Sequence, residues 1–176
     1  MIYMLLADGF EEIEALEPLD ILRRAEIEVK TAGLSEIVEG AHGIKVIPDI
    51  SIDAVNTNDM ELLFLPGGSG HTNLDNSKDV HSLIDTALSN DKYIASICAA
   101  PSILGKRGIL NGKKATCFPG FEKFLEGALV TGEKIVVDGK LITAKGAGAA
   151  ADLGFKIVEI LKDKKTADKL KEVMQY

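Results

Sequence analysis

Tryptophan is absent from the chain, aromatic residues make up only 5% of it, cysteine occurs twice, and no stretch approaches eighteen continuous apolar residues. Each scarcity removes a class of protein. Two cysteines nineteen positions apart do not build a disulfide framework, so a reducing cytoplasm is the expected compartment. Neither a Cys-x-x-Cys pair nor a Cys/His cluster is present, and no metal site is expected. Only seven residues precede Asp8, without a basic leader, so neither a signal peptide nor a membrane span is expected there. Basic residues are in deficit, 20 against 27 acidic ones, for a net charge of -7. Such a field repels phosphate backbones and anionic membranes, and neither is expected as a partner. The one basic cluster, Lys162 to Lys171, contains Asp163 and Asp168 and reads as a solvated helix end.

What is present fits an ordinary globular chain, 46% hydrophobic and 27% charged, with no stretch that reads as a linker. Residues 1–176 are read as one domain. Short apolar runs alternate with helical patterns: IYMLLA, a helix from about Gly9 to Ala25, then IEVKTAG, IKVIPD and ELLFLPGG. A helix near Val80 to Leu88 and the run YIASIC follow. Strand-helix alternation predicts a mostly parallel sheet covered on both faces, an α/β fold. In IVVDGKLITA the Asp138-Gly139 pair predicts a small antiparallel hairpin. Helices are predicted over Gly148 to Leu161 and Thr166 to Met174. In open sheets of this kind ligands lie beyond the carboxyl ends of the strands, which directs attention to Asp8–Glu14, Pro66–His71 and Cys98–Pro101.

Cys98 ends the run YIASI and is followed by Ala99, Ala100 and Pro101, the last suited to a first helical turn. A sulfur at a helix start faces unpaired N–H groups and the positive end of the dipole, which favours thiolate over thiol. The small residues around it fit a sharp turn like a nucleophile elbow. Most free cysteines are simply small buried hydrophobes, and on these residues alone both readings stand. Cys117, in KATCF, has no such setting and reads as structural.

At a step of about 100° per residue, Phe10, Ala15, Pro18, Ile21, Leu22 and Ala25 form an apolar arc, with Glu12, Glu17, Asp20, Arg23 and Arg24 mostly opposite. Glu11 and Glu14 fall inside the arc. Glu11 completes an apparent capping box with Asp8; Glu14 has no such role. A carboxyl in apolar surroundings has a raised pKa and keeps its proton, ready to hydrogen-bond a thiolate or to move a proton in catalysis. The alternative is a side chain at the helix edge that reaches water. Pro66-Gly67-Gly68 exposes backbone amides that would bind an oxyanion beside Cys98, or forms a plain turn. A cysteine-histidine-acid triad needs His42, His71 or His81 beside Cys98, and the spacing selects none of them.

Taken together, ADGFEEIEALEPLDILRRA, FLPGG, ASICAAPSIL and TAKGAGAAADLGFKIVEIL, in that order from Ile2 to about Leu161, resemble the ThiJ/PfpI superfamily and its DJ-one-like branch. The resemblance implies a flavodoxin-like three-layer sandwich, a homodimer, and an oxidation-sensitive cysteine that carries the function without metal or organic cofactor. It matches Cys98 to the family nucleophile, Glu14 to its protonated partner, and Gly68 and Ala99 to backbone donors around the sulfur. Some relatives place a histidine just after the cysteine or about twenty residues downstream; here those positions hold Ala99 and Phe118. Gly67, His71, Phe118, His42 and Arg24 complete the expected pocket. The implied activity is that of a glyoxalase or deglycase acting on small 2-oxoaldehydes such as methylglyoxal, or on their adducts. The alternative is a non-enzymatic oxidative-stress sensor or chaperone working through oxidation of Cys98. A cysteine peptidase or amidase comes third, because the histidine is missing.

Overall fold

In the first strand, β1 (Ile2–Leu6), every side chain is buried, because the period-2 alternation sends Ile2, Met4 and Leu6 into one core and Tyr3 and Leu5 into another. The computed structural model describes all 176 residues. After β1 come α1 (Glu12–Arg24), β2 (Val29–Gly33), β3 (Val38–Glu39), β4 (Lys45–Val46), β5 (Ile50–Ser51) and β6 (Leu62–Leu65). The chain continues through α2 (His71–Asp75), α3 (Lys78–Ser89), β7 (Tyr93–Ile97), α4 (Pro101–Lys106), β8 (Lys114–Ala115) and β9 (Leu129–Val130). It ends with β10 (Ile135–Asp138), β11 (Leu141–Ala144), α5 (Ala150–Leu161) and α6 (Lys164–Met174).

Seven strands form the central sheet in the order β10-β11-β7-β6-β1-β2-β5, parallel except for β10. Helices α1, α5 and α6 cover one face, contributing Ile21, Leu22, Leu153, Ile157 and Ala167 to its core. The other face is covered by α3 and α4, through Val80, Ile84, Ile103 and Leu104. This is the expected flavodoxin-like three-layer sandwich, and the β10–β11 hairpin turns at Gly139, as the Asp-Gly pair predicted. Helices α1 and α5 approach closely at Gly154, where an added Cβ would lie 3.1 Å from the Ile21 side chain. That contact accounts for a glycine in a helix interior, where it costs about 1 kcal/mol relative to alanine. No helix is long and apolar enough to cross a membrane.

Two expectations are corrected. Helix α1 starts at Glu12, not Gly9, and its N-cap is Glu11, whose carboxylate accepts the Glu14 N–H at 2.8 Å. Asp8 caps nothing; it accepts the Glu39 N–H at 2.9 Å and so ties the β1–α1 loop to β3. The run IKVIPD is not a core strand. Only Lys45–Val46 of it is a strand, β4, paired antiparallel with β3; Pro48 cannot donate to a ladder, and β5 at the sheet edge begins after the run, at Ile50.

From β1 the chain steps to β2 on one side and later crosses to β6 on the other. The crevice where ligands bind in such sheets therefore lies above the carboxyl ends of β1 and β6. The loops after β1, β6 and β7 carry Glu14, Gly67-Gly68 and Cys98 to that edge.

Candidate active site

Cys98 has φ of +65°, the left-handed region that residues with a Cβ rarely occupy. Holding it there costs of order 1–3 kcal/mol and requires the surroundings to leave no alternative. They do: its N–H donates to Ala144 O at 2.9 Å, and its carbonyl accepts the Phe118 N–H at 2.8 Å. Pro101 then opens α4 one turn later. The result is a nucleophile elbow that lifts the sulfur off the sheet edge, half-buried.

Glu14 faces this sulfur. It is 1% exposed, its Oε2 accepts the Gly67 N–H at 3.1 Å, and its carboxyl shares a hydrogen bond with the Cys98 thiol. Burial raises its pKa to about 7, helped by the nearby charge of Glu11. Burial likewise pushes the Cys98 thiol up, and a charged Glu14 takes it to about 12, while the amides of Gly68 and Ala99 pull the other way. The lowering anticipated from the helix start alone is thus opposed, since α4 is only six residues long and its dipole is correspondingly small.

Two glycines let these groups meet. A Cβ on Gly67 would sit 2.5 Å from Glu14 Oε2 and 2.6 Å from Cys98 Cβ. Gly68 has φ of +77°, and a Cβ there would lie 2.5 Å from both Glu11 N and Gly9 O. The β1–α1 and β6–α2 loops interlock here: Glu11 N–H donates to Gly67 O and Gly70 N–H to Gly9 O, at 3.2 and 2.7 Å.

The remaining candidates are placed around this centre with different outcomes. His71 binds Gly68 O through Nδ1 at 2.8 Å and packs edge-on against Phe121, bracing the glycine loop. Phe118 lies beside Gly146, where an added Cβ would be 3.2 Å from its ring and 3.9 Å from Glu14 Oε1. No histidine is among the groups that hydrogen-bond the sulfur. Arg24 lies away from the pocket: it is ten residues beyond Glu14 on α1, about 15 Å along the axis, ion-paired with Asp20. Cys117 is buried in the core opposite to the one Cys98 packs against, so it is not placed as its disulfide partner.

Glu12, expected on the solvent face, is buried. Its carboxylate accepts the His42 N–H at 2.7 Å and binds the His42 ring at 2.8 Å, latching the β3–β4 hairpin onto α1. These bonds keep Glu12 charged and raise the pKa of the exposed His42 ring. Glu11, Glu12 and His42 bring ligand atoms within 4.8 Å of one another, yet the carboxylates are engaged in capping and latching. His42 therefore borders the site through α1 and does not touch the sulfur.

A thiol and a buried acid in contact at the carboxyl edge of a parallel sheet place the chain among the flavodoxin-like proteins built around an elbow cysteine. Residues 1–160 match the model of the DJ-1/PfpI family, and the chain belongs to that family. It is 37% identical to protein dj-1beta of Drosophila melanogaster, over 97% of this chain and 92% of that one. The crystal structure of Drosophila DJ-1beta superposes with a TM-score of 0.94, at 34% identity, over 99% of this chain and 96% of that one. The chain is also similar to the glutathione-independent glyoxalase DJR-1.2 of Caenorhabditis elegans, 32% identical over 90% of this chain and 86% of that one. A deglycase of Pyrococcus abyssi is 29% identical over 92% of this chain and 99% of its own.

Proposed function

We propose that the protein is a cysteine-dependent glyoxalase- or deglycase-type enzyme acting on small 2-oxoaldehydes, with methylglyoxal converted to lactate by its own side chains. The hydrogen bond between Glu14 and Cys98 carries this reading, and the glyoxalase and deglycase among its relatives support it. Cys98 Sγ adds to the aldehyde carbon, and the proton held by the pair goes to the carbonyl oxygen, giving a hemithioacetal. Glu14, now a carboxylate, removes the hydrogen from the former aldehyde carbon and delivers it to the neighbouring carbon through an enediol. The first carbon is thereby oxidised to a thioester and the second reduced to an alcohol, with no external oxidant. Water then cleaves the S–C bond, releasing the hydroxy acid and returning a proton to the pair. The Gly68 and Ala99 amides, already directed at the sulfur, face the oxyanions formed beside it.

With Phe118 in the place of a histidine, Glu14 is the only titrating group in contact with the sulfur. Proton NMR of methylglyoxal turnover checks the assignment. Wild type is expected to form lactate, and Cys98→Ser and Glu14→Gln to lose about 10²- to 10⁴-fold in rate. A wild type that makes no lactate, while mild peroxide selectively oxidises Cys98, replaces the enzyme with the redox sensor.

A second copy of the chain is the proposed partner. Ile13 on α1 and Ile37, Ile44 and Ile47 around the β3–β4 hairpin are 50–77% exposed, and the Glu12–His42 latch holds these two elements together. Large apolar residues gathered in this way mark an interface. In light-scattering chromatography wild type is expected as a dimer and Ile44→Glu as a monomer; a monomeric wild type rejects the homodimer.

A further inference from the structure

We propose that Lys145 selects carbonyl substrates bearing a carboxylate, pairing with it in the cavity that adjoins the reacting pair beside Phe118. The inference rests on the carbonyl chemistry proposed above and adds to it the class of substrate.

The cavity, of about 440 Å³, is bounded by Phe118 and Pro119 on one side and by Gly146 to Ala149 on the other, with Lys134 and Lys145 at its edge. It lies against the reacting centre. An added Cβ on Gly146 would lie 3.2 Å from the Phe118 ring and 3.9 Å from Glu14 Oε1, and the Phe118 N–H is bonded to the Cys98 carbonyl. Phe118 itself is 46% exposed, a large aromatic face left open next to a reactive thiol. Methylglyoxal has five heavy atoms and leaves most of such a space unused.

Charge identifies what fills the rest. The chain carries a net charge of -7, yet the only ionisable residues lining this cavity are two lysines. Lys134 is committed to an ion pair with Asp152. Lys145 has no carboxylate within ion-pair distance, so its charge is left for an anion that enters the cavity. A 2-oxoaldehyde extended by a short methylene arm ending in a carboxylate matches each part. Its carbonyl reaches Cys98, its arm lies on Phe118 and the alanines, and its anion meets Lys145.

The probe is 4,5-dioxopentanoate, set against methylglyoxal, its truncated neutral counterpart. The quantity read is the ratio of the two kcat/KM values. Lys145→Gln is expected to lower that ratio about fivefold or more, Lys145→Arg to restore it, and added salt to erode it in wild type but not in Lys145→Gln. A ratio that is the same in wild type and Lys145→Gln overturns the proposal. A binding arm separates its failure from that of the catalytic reading. In Cys98→Ser, NMR titration compares 4-oxopentanoate with pentan-2-one, with and without Lys145→Gln. Preference for the carboxylate that disappears with Lys145→Gln supports the assignment even where wild type turns over neither aldehyde. Equal affinities for both ligands, or a preference untouched by Lys145→Gln, reject it.

Discussion

Alkylation of Cys98 by iodoacetamide is expected to rise with a midpoint near pH 7, and Glu14→Leu to move that midpoint up by two units or more, slowing the reaction at pH 7 about 50-fold or more. The two side chains share protons and titrate as a unit, with apparent values of about 7 and about 12. Loss of the first proton leaves one negative charge to be placed. The sulfur is half-buried and receives the Gly68 and Ala99 amides. The Glu14 carboxyl is 1% exposed, receives only the Gly67 N–H, and feels the charge of Glu11. The better host for the charge is the sulfur, and the remaining proton stays on Glu14, where it hydrogen-bonds the thiolate.

Leucine at position 14 keeps the volume and removes the proton, so burial acts alone and holds the thiol above its ordinary range. Mass spectrometry assigns the adduct, with buried Cys117 as the internal control; its thiol is pushed up to about 11 by burial and Glu122. The opposite placement of charge, carboxylate beside thiol, has an opposite signature. Wild-type Cys98 would then resist alkylation until far above pH 9, and Glu14→Leu, free of the repelling charge, would react faster than wild type. That outcome would remove the thiolate from the proposed reaction.

How much of this arrangement was legible in the chain depended on whether the cause was local. Cys98 was visible because its neighbours in sequence, small residues before it and Pro101 after it, create the elbow. Glu14 was visible because helical phase alone puts a carboxylate among apolar residues. Glu12 was misread for the complementary reason. Its cover comes from the 39–44 segment, about thirty positions away, and no property of α1 announces it. Phase also says nothing about height along a helix, and Arg24, expected in the pocket, lies about 15 Å beyond Glu14 along α1. The capping box failed because Asp8 has a tertiary partner in Glu39, and a short motif cannot register that competitor. The sheet itself was readable since parallel strands buried on both faces are continuous apolar runs, whereas the two-residue strands β3, β4 and β5 carry no such run. Lys145 and the cavity beside it arise where three distant loops converge, and only the absence of a histidine at position 118 hinted that this wall was unusual.

Glu14→Gln is expected to be more stable than wild type at pH 8 by about 3 kcal/mol, and to match it closely below pH 4.5. The sign follows from proton counting. In the unfolded chain Glu14 loses its proton near the ordinary glutamate value of 4.5; in the native protein the pair keeps that proton until about pH 7. The native state therefore binds more protons across this window, and its stability falls as pH rises from 4.5 to 7. Between pH 7 and 9 the contribution is level, because the second proton leaves the native pair only near 12 and an unfolded thiol near 9. Carboxylates held low by partners, Glu12 and Asp49, act in the opposite sense but below the window and equally in both proteins, so they cancel in the difference. Glutamine keeps an oxygen for the Gly67 N–H and presents its NH₂ to the sulfur, mimicking the protonated acid while never ionising. Urea unfolding of both proteins at pH 4.5, 6, 7 and 8 reads the effect directly. Parallel stability curves would mean that Glu14 titrates as an ordinary carboxylate and holds no proton for Cys98. Diverging curves would show a carboxyl that weakens the fold at neutral pH, the trade expected where a buried acid serves chemistry and not packing.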